Sequence, residues 1–258
     1  MIIIDSFACP LFFQKIKMAP ANSSKPEIEL IPWDPTSPEH VERLVQQRVA
    51  CGWDDEYVES WRKTQESGKL NIQWIVLADS DLEKDARLFK HTEVHPQEKE
   101  PLVDSAISFG GKPRDILSPQ RTFIPIGHIC LGPPSENYLN LGYVSRTEGF
   151  YWISNFYISR ALQGTGLGKA AMDTVENLAI CEPLCASTLG LNTIDKVDPG
   201  REEKYKALGL VIPPFSNQEW YERRGYKGYK YVENLFGPKV DSTGKSWYWS
   251  AVFLRKEI

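Results

Sequence analysis

The chain carries no strong excess of either charge. Its 30 basic and 34 acidic residues leave a net charge of −4 and a pI near 5.7. That excludes any whole-protein electrostatic case for nucleic acid. Long apolar runs are lacking too. Residues 2–13 are mostly apolar, but Asp5 interrupts them and no basic flank precedes them. The run falls short of the roughly 20 residues a membrane helix needs, and it makes a poor signal peptide. Residues 1–26 read as a flexible leader, with Met18 as an alternative start. No membrane partner is expected. Cysteine is scarce, with Cys9, Cys51, Cys130, Cys181 and Cys185 odd in number and scattered. This is a poor disulfide framework and fits a reducing, cytoplasmic compartment. Cys181 and Cys185 read as ordinary buried thiols. Of the four histidines, His91 and His95 form an HxxxH pair, but with Pro96 adjoining and no third ligand evident they read as part of a solvated loop, and no metal is expected.

What is present is the alternation of an α/β chain. EIELIPW (27–33) alternates as a strand. Ser37 and Pro38 then start a helix, with Val41, Leu44, Val45, Arg48 and Val49 as its stripe. Residues 54–66 make a second helix presenting Tyr57, Val58 and Trp61, and 71–79 a buried strand. Residues 80–122 are charged and mostly aperiodic, a long insert. Strands follow at 123–132 and 149–159, joined by a polar loop. A helix runs from about 166 to 181, with a strand at 185–194. Two short helices lie at 199–209 and 216–226, the second ending near Gly225. Two closing strands flank a turn-rich stretch. The order implies a mixed sheet, with residues 27–258 as one domain.

Between the aromatic strand and the long helix stands Gln163-Gly164-Thr165-Gly166-Leu167-Gly168-Lys169. A Walker A loop would need glycine at Gln163 and a hydroxyl at Ala170. A dinucleotide fingerprint would need glycine at Lys169. The remaining reading is Q-x-x-G-x-G. A helix N-terminus offers N–H groups without partners and about half a unit of positive charge. Glycines clear the Cβ atoms that would hold an anion off. A plain strand–turn–helix crossover is the bland alternative; three glycines at the helix start weigh against it, because each costs backbone entropy.

This turn resembles motif A of the GCN5-related N-acetyltransferases (GNAT). A second pattern, Trp220-Tyr221 followed by Gly225-Tyr226, resembles the tyrosine signature of that family. The resemblance implies a mostly antiparallel central sheet with helices on both faces, acetyl-CoA as co-substrate and no metal. It implies that Gln163, Gly164, Thr165, Gly166, Leu167, Gly168 and Lys169 hold the pyrophosphate. It also implies that the backbone of Phe156, Tyr157 and Ile158 binds the pantetheine arm as an added strand, with an N–H near Ile158 holding the oxyanion. Tyr221 would give a proton to the departing thiolate. A phenol of pKa ~10 is protonated at neutral pH, whereas a free thiol titrates near ~8.5.

There are departures. Pro214 stands where members often carry asparagine, and Trp152 where some carry a glutamate base. Glu136, Glu148 and His128 are the remaining candidate bases. The expected reaction is direct acetyl transfer to an amine, a small molecule in preference to a protein or peptide lysine or N-terminus. A non-catalytic acyl-CoA sensor is the alternative. Oligomeric state, monomer or homodimer, is open.

Overall fold

In the computed structural model, residues 25–114 and 121–258 are described. The expected leader therefore lies outside the described residues except for Lys25 and Pro26, and Cys9 lies outside as well. Seven strands form the central sheet: β1 (Ile28–Pro32), β2 (Ile72–Leu77), β3 (Gly127–Gly132), β4 (Phe150–Ile158), β5 (Thr188–Ile194), β6 (Lys227–Val240) and β7 (Ser246–Glu257). Their order is β1-β2-β3-β4-β5-β7-β6. Every neighbouring pair is antiparallel except β4 and β5.

Helices α1 (Pro38–Cys51) and α2 (Val58–Glu66) precede β2, and α3 (Lys84–Val94) follows it. Helix α4 (Glu136–Asn140) joins β3 to β4, and α5 (Leu167–Ile180) joins β4 to β5. Helices α6 (Arg201–Ala207) and α7 (Asn217–Arg223) lie between β5 and β6. One face of the sheet packs Ile75, Ile129, Ile153, Leu191 and Val252 against Leu167, Ala171, Met172 and Val175 of α5. The opposite face packs Trp74, Val76 and Cys130 against Leu44 and Val58. Helices thus flank a mostly antiparallel sheet on both faces, as expected.

Several expectations need correction. The insert 80–122 holds α3, a 3-10 turn at Pro96–Glu98 and two short strand pairs. Its pattern concealed a helix because the buried face of α3 is polar. Arg87 and His91 are inside, while Phe89 and Val94 are outside. Arg87 is held by Asp81 and Glu83. His91 and His95 are not in a solvated loop but buried beside Glu98, at 3.5 and 3.8 Å. The stripe on α1 is likewise rotated, with His40, Arg43, Gln47 and Arg48 buried around Leu44 and Val49 exposed. Tyr57 is exposed. The polar loop after β3 contains α4, capped by Ser135. Cys181 and Cys185 are exposed free thiols beyond the end of α5, where no layer covers them.

The buried polar faces bond one another in part. Gln47 Nε2 donates to Glu98 Oε2 at 2.8 Å and to the Pro125 carbonyl at 3.0 Å. Its oxygen must therefore accept from His128 Nδ1, 2.9 Å away. That assignment puts the proton on Nδ1 and leaves the Nε2 lone pair facing Arg48 Nη1 at 3.4 Å.

The sheet opens between its only parallel strands. The β4–β5 ladder runs through Phe150–Thr188, Tyr151–Leu189 and Trp152–Gly190, then stops. Beyond it β4 continues against β3, and β5 against β7. Asn155, at φ +49°, sits in a bulge that sets two β4 residues against Ile129. The bulge bends β4 away. Gly190 sets where the ladder closes, since a Cβ there would lie 2.5 Å from Phe150 and 2.6 Å from Trp152. Gly190→Ala is expected to destabilise the protein by about 1–3 kcal/mol through overpacking, read as a lowered urea midpoint.

Candidate active site

The turn and the helix it feeds are positioned by two side-chain bonds. Gln163 Nε2 donates to the Ile158 carbonyl at 3.1 Å, and Thr165 Oγ1 to the Leu162 carbonyl at 2.6 Å. Leu162 and Leu167 are buried and anchor both ends of the turn, while residues 163–166 are exposed. Gly164 and Gly166 take φ of +79° and +90°, where a side chain would be strained. Around Gly164 nothing lies within 4 Å of an added Cβ, so the approach is open. Helix α5 has no side-chain cap, and its first internal bond is Ala170 N–H to the Gly166 carbonyl. The Leu167, Gly168 and Lys169 amides are left as a donor set for an anion. Lys169 is exposed beside them.

The free edge of β4 faces the same opening. Ser159 N–H donates to Ile126 on the β3 side, and His128 pairs with Tyr157. Strand alternation then turns the backbone groups of Phe156 and Ile158 into the gap and those of Tyr157 towards β3. Of the three expected residues, two therefore present main-chain groups to the gap. Gln163 already bonds the Ile158 carbonyl. The Tyr157 ring lies buried on the α1 side, 5.5 Å from the His128 ring, and burial pushes its phenol up to about 12.

Helix α7 brings the second pattern to the turn. It starts at a capping box between Ser216 and Glu219. Arg224 bonds Asp173 at 2.8 Å and Glu176 at 3.1 Å, clamping its end to α5. Trp220 packs on Phe156 at 6.2 Å, and both rings come within 4 Å of a Cβ built on Gly168. Tyr221 is buried between the Trp220 and Tyr226 rings, 5.0 and 5.9 Å away. Burial pushes its phenol well above the ordinary value, Arg224 opposing slightly. Its hydroxyl has no hydrogen-bond partner among the described residues. A neutral phenol with a free proton is thus held beside the turn.

The candidate bases fare differently. Glu136 is exposed and paired with Arg146 at 2.5 Å, and Glu148 is exposed. His128 is fully buried with both ring nitrogens engaged, and burial pulls its pKa well below the usual range. One carboxylate escaped the sequence reading: Asp54, at φ +61°, sits just past α1 beside Arg48 at 3.0 Å. Burial raises its pKa, with Arg48 opposing. Only its place after Gly52-Trp53, at a helix end, marked it in the sequence.

The model of the Acetyltransferase (GNAT) family matches residues 77–209, just over half of the chain. The chain belongs to the GNAT acetyltransferase family. The family match covers β4, the turn and α5 but stops short of Tyr221. Among solved structures, this GNAT protein is similar to the IAA acetyltransferase from Bacillus cereus ATCC 14579, with 12% identity over 90% of this chain and 98% of that one, at a TM-score of 0.44. It is also similar to Arabidopsis thaliana NAA60 in complex with acetyl-CoA, with 11% identity, coverage of 90% and 98%, and a TM-score of 0.45. An aminoglycoside 6'-N-acetyltransferase complexed with coenzyme A is similar at 11% identity, coverage of 89% and 96%, and a TM-score of 0.46. No curated protein matches the chain. Among the described residues, no helix is long and apolar enough to cross a membrane, and no group of three or more His, Cys, Asp or Glu could hold a metal.

The buried histidines set a pH dependence. Burial lowers the pKa of His40, His95 and His128 below the ordinary histidine value of about 6.5. The unfolded chain then binds more protons below that pH, so stability falls as pH drops, by at most about 1.4 kcal/mol per pH unit for each such histidine. Urea unfolding between pH 7.5 and 5.5 should show this slope, and His128→Gln should flatten it.

Proposed function

We propose that this GNAT protein transfers an acetyl group from acetyl-CoA directly to an amine, through a ternary complex. The observation that carries the reading is that the uncapped start of α5 and the free edge of β4 face one opening, against which α7 packs Trp220 beside Tyr221, whose hydroxyl bonds none of the described residues. The pyrophosphate is held by the Leu167, Gly168 and Lys169 amides, with Gly164 and Gly166 giving it access and Lys169 adding charge. Gln163 and Thr165 shape the turn. The pantetheine arm bonds the gap-facing backbone of Phe156 and Ile158, extending β4 as a further strand would. Such an arm places the thioester near the bulge, where an unpaired N–H can stabilise the tetrahedral oxyanion.

The neutral amine attacks the thioester carbonyl, the intermediate collapses with cleavage of the C–S bond, and the proton lost by the attacking nitrogen passes to solvent, which in turn reprotonates the Tyr221 phenolate. Tyr221 donates its proton to the departing thiolate. The raised phenol pKa keeps it protonated until that moment, and the hydrophobic surroundings strengthen its bond to a developing charge. Residues 27–258 act as one acyltransferase domain. The acceptor is a small amine in preference to a protein lysine or N-terminus, supported by the aromatic cluster of Tyr138, Trp152 and Phe253 packed beside the closed end of the gap. A cytoplasmic location is supported by four free cysteines among the described residues.

Calorimetry with acetyl-CoA should give micromolar binding to the wild type. A folded Gly166→Asp/Gly168→Asp variant should lose it, because two carboxylates would oppose the pyrophosphate. Retained binding would remove the phosphate site from this turn. Tyr221→Phe should keep acetyl-CoA affinity while kcat falls by about 10²-fold or more. Full turnover would exclude Tyr221 as the acid.

A further inference from the structure

The β6–β7 hairpin reaches back to the end of α1. Its ladder is irregular between Val232 and Phe236 and again between Phe236 and Lys239. These breaks re-aim its side chains. Phe236 packs edge-on against Trp53 at 6.0 Å. Lys239 Nζ donates to the Gly52 carbonyl at 2.6 Å and lies 4.5 Å from the Trp53 ring centroid. The next residue is Asp54, whose carboxylate is 42% exposed although Arg48 holds one oxygen. Gly52 is in the left-handed C-cap position, and its N–H is used by Arg48 and Val49, so its carbonyl alone is offered outward. A carbonyl and an aromatic face thus hold one alkylammonium that the protein itself supplies, and the Asp54 carboxylate lies near enough to feel its charge.

The cage is linked to the end of β4 that borders the gap. Arg160, two residues beyond β4, donates to the Cys51 carbonyl at 3.3 Å, and its Nη2 lies 3.8 Å from a Cβ built on Gly52. We propose that the Gly52 carbonyl, the Trp53 ring and the Asp54 carboxylate form a cation subsite for the acceptor, in which an alkylammonium group of the substrate replaces Lys239. This rests on the acetyl-transfer reading. The cage favours the charged form of its guest, so the ammonium held there is not the attacking nitrogen. The acceptor therefore carries a second amino group that reaches the gap between β4 and β5, which makes it a diamine, a polyamine or a lysine-like basic compound. Lys239 acts as an internal competitor, because a tethered group has an effective concentration in the millimolar range.

Cadaverine, which carries two alkylammonium ends, is the probe. Calorimetry should show it binding Lys239→Met at least about tenfold more tightly than the wild type. The gain should vanish in Lys239→Met/Trp53→Ala, with folding of each variant checked by thermal melting. Equal affinity for wild type and folded Lys239→Met overturns the proposal and leaves Lys239 as a staple of the hairpin. Should Lys239→Met fail to fold, Asp54→Asn in the otherwise native chain decides: cadaverine affinity must fall at least about threefold, and unchanged affinity overturns the subsite. Acetyl-CoA titrations of the same proteins separate the two readings. Normal acetyl-CoA binding without the cadaverine response removes the cation subsite alone, whereas no acetyl-CoA binding to the wild type removes the transfer reading beneath it.

Discussion

Everything proposed for this protein depends on one interrupted ladder. After Trp152 and Gly190, β4 and β5 part, and each keeps its other neighbour. Main-chain donors and acceptors rarely go unpaired in a folded interior. A sheet that opens in its middle therefore creates an edge that solvent or a ligand must satisfy. The bulge at Asn155 turns one side away, and the bulk of Phe150 and Trp152 over Gly190 holds the closed end together. The opening is consequently a wedge with one rigid vertex. Because α5 begins just beyond the open end of β4, its unbonded amides face the same space.

The second layer of organisation is the attachment of α7. A seven-residue helix has little stability of its own. It is fixed by the capping box at Ser216 and by Arg224 bridging to Asp173 and Glu176. Tyr226 and Lys256 also bond Glu176, at 3.2 and 2.7 Å. Glu176 therefore ties α5, α7 and β7 together. This is how Tyr221, more than 50 residues from the turn in sequence, comes to pack behind Trp220 near it with its hydroxyl bonded to none of the described residues.

The opposite face is built on different physics. Gln47, Glu98, His128 and Arg48 form a buried polar chain between α1 and β3, and His91 bonds Ser159 just past β4 at 2.8 Å. Such a network resists repacking because each member orients the next, and removing one leaves a partner buried and unsatisfied. It gives His128 a fixed tautomer and a fixed orientation. Glu98 Oε1, His91 Nε2 and His95 Nε2 have no hydrogen-bond partner among the described residues, so the chain is incompletely satisfied there.

Much of the architecture was legible in local pattern. The alternation in β1, the aromatic run of β4, the apolar side of α5 and the two closing strands each follow from side-chain period. The turn was legible because glycine at φ near +90° has a backbone reason to be there. By itself the sequence determined an α/β chain with a glycine-rich turn before a long helix and a tyrosine near a helix end. It could not reveal α3, since the buried side of that helix is polar and its exposed side carries Phe89 and Val94. Period reports burial only when burial is apolar. Tertiary structure alone decided that Phe156 and Ile158, but not Tyr157, turn their backbones to the gap, that Tyr221 lacks a partner, and that Lys239 lies on Trp53. Each depends on register, bulges or long-range ion pairs, which join residues far apart in the chain and leave no periodic trace within it.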